Sequence, residues 1–111
     1  MASSKGYLDF VLDQLSELDG ITYRSMMGEY ILYYRGKIIG GIYDNRLLLK
    51  PTKAVSRVFP DAVEALPYDG AKPMLMPAQI EDSELLTKAV TEMYDELPEP
   101  KKKNNSLKRK A

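Results

Sequence analysis

The sequence predicts an α+β domain: an antiparallel β-meander sheet of four to five strands, flanked by an N-terminal helix, a short middle helix and a C-terminal helix. Two observations carry this. First, residues 24–51 hold three short apolar runs, at 30–34, 38–43 and 47–49, separated by the turn-forming pairs Arg35-Gly36 and Asp44-Asn45. Runs of that length, rich in Ile and Tyr and bounded by Gly, Asp and Asn, read as consecutive strands. Asp-Asn also tolerates the positive φ of a two-residue hairpin turn. Second, the segments on either side carry apolar residues at helical spacing.

In chain order, Ser3-Ser4 offers an N-cap. Tyr7, Phe10, Val11, Leu15 and Leu18 follow at helical intervals, with Leu8 and Leu12 widening the stripe and Asp9, Asp13 and Glu17 opposite. Asp19-Gly20 is expected to close this helix after about four turns. Residues 21–25 form a first, weaker strand, β-branched at Ile21 and Thr22. Met26-Met27-Gly28 then interrupts the pattern, as a turn or bulge that brings backbone close to something else: a tight crossing inside the core with Met filling gaps or, as the sharper alternative, a small surface site lined by Arg24, Met27 and Glu29. Gly40-Gly41 in mid-strand marks a second bulge or close approach.

Pro51-Thr52 caps a short helix over residues 53–59, stopped by Pro60. Residues 61–66 read as a looser stretch and Pro67-Tyr68-Asp69-Gly70 as a turn. Met74-Leu75-Met76 is a last short strand. Because Pro73 has no backbone N–H, that strand should lie at a sheet edge or begin there. Asp82 or Ser83 caps the final helix, whose buried stripe is Leu85, Leu86, Ala89, Val90, Met93 and Leu97. The folded domain thus spans residues 3–97. Residues 98–111, with little to bury, are expected to be a disordered basic tail.

Composition narrows the chemistry. The 111 residues include neither His nor Cys, which removes the commonest general base, the commonest zinc ligands and the best nucleophile. A reaction would have to run on Asp/Glu, Lys, Ser/Thr or Tyr, for instance Glu29 with a Lys. No catalytic constellation is recognisable, and neither an enzyme nor a bound cofactor is expected. The absence of Cys, of an apolar run near the ~20 residues of a membrane helix, and of a signal-like N-terminus fits a cytoplasmic chain without membrane contact.

The formal net charge of zero hides a split. Through Leu97 there are ten Lys/Arg against fifteen Asp/Glu, whereas the tail has six cations and one Glu. An acidic body argues against a nucleic-acid groove across the folded surface. The tail cations Lys101, Lys102, Lys103, Lys108, Arg109 and Lys110 are the one place where phosphates would bind, in a salt-dependent way.

The meander strands lack the polar alternation of a sheet with one wet face. Residues 31–34 and 47–49 are uninterruptedly apolar or aromatic. Two long helices can cover one face only, so the far face is expected to take a partner, most simply a second copy of the chain. Half-exposed tyrosines packed flat are the alternative.

These residues resemble a known pattern. The helix Y-L-D-F-V-L-D-Q-L, the block R-S-M-M-G-E-Y, the run G-K-I-I-G-G-I-Y-D-N-R-L-L-L-K, the later P-Y-D-G-A-K-P-M and the helix up to residue 97 are together similar to the N-terminal domain of the TfoX/Sxy family, regulators associated with natural competence in bacteria. The resemblance covers roughly residues 5–97. It implies a domain with a helix, an antiparallel sheet and a C-terminal helix, and a regulatory rather than catalytic role. Full-length regulators carry a second, helical C-terminal domain where this chain has its basic tail. The motif positions Arg24, Met27, Gly28, Glu29 and Lys50 mark the fold and are the candidate interaction site. On one sheet face Glu29, Arg24 and Lys50 would form a charged cluster for an anion or carboxylate, or an ordinary ion pair at the rim.

Overall fold

The computed structural model describes residues 3–78 and 80–98. It is an α+β structure with ten elements: α1 (Lys5–Gln14), β1 (Ile21–Met26), β2 (Glu29–Tyr34), β3 (Lys37–Ile42), β4 (Leu47–Leu49), α2 (Lys53–Val58), β5 (Val63–Ala65), β6 (Met74–Met76), α3 (Ser83–Met93) and a closing 3₁₀ turn, Tyr94–Glu96. The tail cations from Lys101 to Lys110 lie outside the described residues.

The first four strands form the expected meander. Three two-residue turns join them, Met27-Gly28, Arg35-Gly36 and Asp44-Asn45, and all six residues have φ between 51° and 87°. Type I′ hairpins need that handedness because it matches the twist of the strands they join. The interruption at Met26-Met27-Gly28 is therefore a hairpin turn, with Met26 opposite Glu29.

The sheet has six strands in the order β1-β2-β3-β4-β6-β5, every pair antiparallel. The strand beyond the four or five expected is β5, inside the stretch read as loose. β6 is internal, between β4 and β5. It begins immediately after Pro73, so the missing N–H falls outside the ladder.

Between β2 and β3 the register steps from Leu32↔Gly40 to Tyr33↔Ile38, leaving Ile39 as a bulge residue. Here glycine is required. A Cβ on Gly40 would lie 2.1 Å from the Leu48 carbonyl oxygen, and one on Gly41 would lie 2.6 Å from the Tyr30 carbonyl oxygen and 2.7 Å from the Tyr43 ring. The close approach is at this pair, and the bulge is one residue before it, at Ile39.

Helix α1 is shorter than its apolar stripe suggests. Ser4 caps it, its Oγ accepting from the Tyr7 N–H at 3.1 Å. The regular helix stops at Gln14 because Ser83 Oγ donates to the Gln14 carbonyl at 2.7 Å. The chain then tightens into turns in which Leu15, Ser16 and Leu18 donate to carbonyls three residues back. In α3 the cap is Asp82, accepting from Leu85 N–H, which leaves Ser83 free to reach α1.

All three helices feed one core on one side of the sheet. Leu8, Val11 and Leu15 from α1 meet Leu32, Ile39, Ile42, Leu47 and Leu49 from the strands, Val55 from α2, and Leu86, Val90 and Met93 from α3. Each is essentially inaccessible to solvent, and burying a side chain of this size is worth about 1.5–3 kcal/mol. Glu96 fastens the helical layer. Its carboxylate accepts from the Lys53 and Ala54 N–H groups at 2.8 and 2.9 Å, capping α2 from a distant part of the chain. Those bonds, the Lys53 one foremost, hold its carboxyl below its ordinary value.

Candidate functional site

The candidate residues converge on the face of the sheet turned away from the helices. Strand alternation and the cross-strand pairs put Thr22, Arg24 and Met26 of β1 on this outer face beside Tyr33, Ile31 and Glu29 of β2. Ile38 and Gly41 of β3, Leu48 of β4, and Met74 and Met76 of β6 continue it. Lys50 follows at the end of β4, its N–H bonded to the Ile39 carbonyl. Among the described residues no helix covers this side.

The loop at residues 66–73 covers part of it. Arg46 holds the loop, donating from Nε to the Tyr43 carbonyl and from Nη2 to the Leu66 carbonyl, both at 3.1 Å. The Tyr43 and Tyr68 rings then stand 6.4 Å apart. Beneath them Leu48 is fully buried although it is not part of the helix-side core. Burial pushes the Tyr43 hydroxyl above its ordinary value, and Tyr68 and Glu29 add to the effect. Tyr43 also lies close over Gly41, where a Cβ would come within 2.7 Å of its ring.

Two shallow cavities flank this cover. One, of about 410 Å³, is lined by Met26, Met27, Glu29, Ile31, Tyr43, Pro67 and Tyr68. The other, of about 390 Å³, shares Ile31, Tyr43, Pro67 and Tyr68 and adds Lys50 and Lys72. Met27 and Glu29 thus belong to one cavity and Lys50 to the other. Arg24 lies on the same face beside them and lines neither.

Among the described residues no ion pair joins Glu29 to Arg24 or Lys50, whereas Lys5–Asp9 and Arg57–Glu92 do pair. Glu29 is engaged elsewhere. Its carboxylate accepts from Ser3 Oγ and, through both oxygens at 3.2 Å, from the Asp44 N–H. Ser3 Oγ in turn accepts from the Asn45 N–H at 3.0 Å, while Asn45 Oδ1 accepts from the Ser4 N–H at 2.8 Å. Ser3 N–H donates to the Gly28 carbonyl at 3.0 Å, so the β1–β2 turn belongs to the same knot. Glu29 therefore ties the N-terminal segment and two hairpin turns together. Sequence reasoning did not find Ser3 or Asp44 as its partners, because they lie 26 and 15 positions away and no local pattern links them.

The exposed apolar residues mark the face more sharply than its charges do. Met26, Val63 and Tyr68 keep 51, 53 and 64% of their surface exposed, and Met27 keeps 96%. Met27 also has φ +54°. A side chain longer than Asn is strained in that conformation, and this one touches almost nothing.

Among the described residues no group of three or more Asp/Glu is placed to hold a metal ion, and no helix is long and apolar enough to cross a membrane. Comparison with known proteins matches residues 13–97 to the model for the TfoX N-terminal domain. That match includes both motifs of the earlier resemblance, R-S-M-M-G-E-Y and D-N-R-L-L-L-K. The chain is also 42% identical over 72 residues to an "Uncharacterized 12.7 kDa protein in trpE 5'region" of Spirochaeta aurantia. The matched stretch covers 65% of this chain and 63% of the relative's length. No solved structure gives a significant match. With the family model spanning the whole sheet and α3, the chain belongs to the TfoX N-terminal domain family.

Proposed function

We propose that the chain is a non-enzymatic interaction domain with a regulatory role of the TfoX kind, and that it self-associates through its sheet. The observation that carries this reading is the apolar surface left on the outer face, with Met26, Met27, Ile38, Val63 and Tyr68 all exposed. Full burial of one such side chain is worth up to about 1.5–3 kcal/mol. Several on a single face are therefore a standing cost that a docked surface removes.

Two further facts support the reading. The absence of His and Cys from the sequence leaves few groups able to move a proton near neutral pH. Glu29, the acid that a His-free enzyme would need, already accepts hydrogen bonds from two donors of the fold, Ser3 Oγ and the Asp44 N–H. Family membership supplies the regulatory part.

Sedimentation velocity on the full chain at tens of micromolar, with hydrogen exchange read at the same concentrations, tests the proposal. A dimer whose added protection falls on sheet residues is expected. A chain that stays strictly monomeric overturns self-association.

A further inference from the structure

The sheet has two edges, and they are protected very differently. β5 is three residues long, carries the exposed Glu64 at its centre, and sits between Pro60 and Pro67. Shortness, charge and proline are the devices that keep an edge strand from pairing with another chain. β1 is neither short nor proline-bearing, and its one charge is Arg24. It is six residues long with an unbroken register from Ile21↔Tyr34 to Met26↔Glu29, it contains no Lys or Pro, and every residue from Thr22 onward is exposed.

We infer that a second copy of the chain adds to the sheet along β1, antiparallel and in a single register centred on Tyr23. This rests on the reading that the domain self-associates through its sheet, and it names the part of the sheet that does so.

The backbone argument starts at the turn. A two-residue hairpin makes its flanking residues, Met26 and Glu29, a hydrogen-bonded pair, and bonded pairs alternate from there. Met26, Arg24 and Thr22 thus direct their N–H and C=O groups to β2. The Arg35 N–H to Gly20 carbonyl bond, 2.9 Å, continues that alternation one step further. Ile21, Tyr23 and Ser25 direct theirs away from the sheet, where no other part of the described chain bonds them.

The register follows from those three positions. Pairing Tyr23 with Tyr23 and Ile21 with Ser25 engages every outward residue of both copies, about six hydrogen bonds. Sliding by one pair in either direction leaves a residue of each copy unbonded. One of those slips also sets Arg24 opposite Arg24, a like-charge pair. In the register centred on Tyr23, Arg24 faces Thr22, the Tyr23 rings meet across the axis, and Met26 faces Gly20, which has no side chain to obstruct it. Tyr23 is already packed edge-on to Tyr30 at 5.8 Å, so its ring enters the pair with much of its freedom spent. The competing occupant from within the chain, K-K-K-N-N-S-L-K-R-K-A, offers neither β-branched residues nor alternation for a strand.

The cysteine-free sequence makes the test clean. Two residues directly opposite in a bonded antiparallel pair have Cα atoms about 5.5 Å apart, within disulfide reach. Tyr23→Cys in the full chain should oxidise to a covalent dimer, while Asp9→Cys, exposed on the helical side, should not. Ser25→Pro deletes an outward N–H and leaves the β2 ladder intact. It should raise the dimer dissociation constant at least tenfold with an unchanged denaturation midpoint. A dimer that ignores Ser25→Pro and does not cross-link at 23 associates through another part of the sheet; the β1 proposal then fails while self-association stands. A dimer lost on deleting residues 99–111 assigns the contact to that segment and overturns the proposal. A strict monomer overturns both readings.

Discussion

The two faces of the sheet are closed in different ways. The inner face is sealed by three helices meeting in one continuous cluster, with Leu32, Ile39, Ile42, Leu47 and Leu49 all at 0 or 1% exposure. The outer face relies on a single loop held by one arginine, and it leaves Met26, Ile38 and Val63 open. Both sides of the strands carry large apolar residues. Cover distinguishes them.

That contrast can be broken by matched truncations. Leu32→Ala on the inner face should cost about 2–5 kcal/mol in chemical denaturation, the range for a buried leucine. Ile38→Ala on the outer face should cost under about 1 kcal/mol. Leu48→Ala decides how far the loop closes its side. A loss near that of Leu32 means the loop seals the face; a loss near that of Ile38 means it does not.

The knot at Glu29 should rank next. Glu29→Ala leaves Ser3 Oγ and the Asp44 N–H without their acceptor, and about 1–3 kcal/mol of stability should go with it. Glu29→Gln should recover part of that loss. An unchanged midpoint for the alanine variant would show that Glu29 serves a ligand rather than the fold.

A smaller effect of opposite sign separates the two roles at Met27. Asn tolerates the positive φ that strains Met, so Met27→Asn should stabilise the monomer by about 0.5–1 kcal/mol. The same change removes an exposed anchor and should weaken self-association. Denaturation and sedimentation of one variant would then move in opposite directions.

The smallest effect is titratable. Glu96 is held below its ordinary value of 4.5 by the Lys53 and Ala54 N–H groups, so its ionised form favours the folded state. That stabilisation is complete above the unfolded value and fades as pH falls through the lower folded one. Glu96→Gln should melt earlier than the parent at neutral pH, with the gap narrowing below about pH 4.5. A gap that persists in acid would mean that Glu96 acts through packing.

The sequence was informative wherever local chemistry decided the structure. Arg35-Gly36 and Asp44-Asn45 announced their hairpins because positive φ restricts residue choice, and Gly40-Gly41 announced a close approach because no Cβ fits there against the neighbouring strands. β5 was illegible because Val-Glu-Ala is too short for its alternation to stand out, and it pairs with β6 beside it. The end of α1 could not be read either. Its apolar stripe runs on to Leu18, and a serine 69 residues away takes the carbonyl that would have continued the helix. At the candidate site, the sharing of one face by Arg24, Glu29 and Lys50 was readable from strand period. The engagement of Glu29 with Ser3 depends on the way the chain folds back.

Three tight hairpins in succession have a kinetic consequence. Every contact among residues 21–49 closes over a short length of chain, whereas β6 must return from residue 74 to reach Leu49. Loop-closure entropy therefore favours the meander as the nucleus and the β5–β6 arm as the late arrival. Truncations at the Ile31 and Ile42 pairings should slow refolding, while truncation at Leu75 should mainly speed unfolding. The reverse pattern would place the nucleus in the arm. Until that arm docks, β4 is itself an open edge, so crowded refolding is when strand exchange between chains should be most frequent.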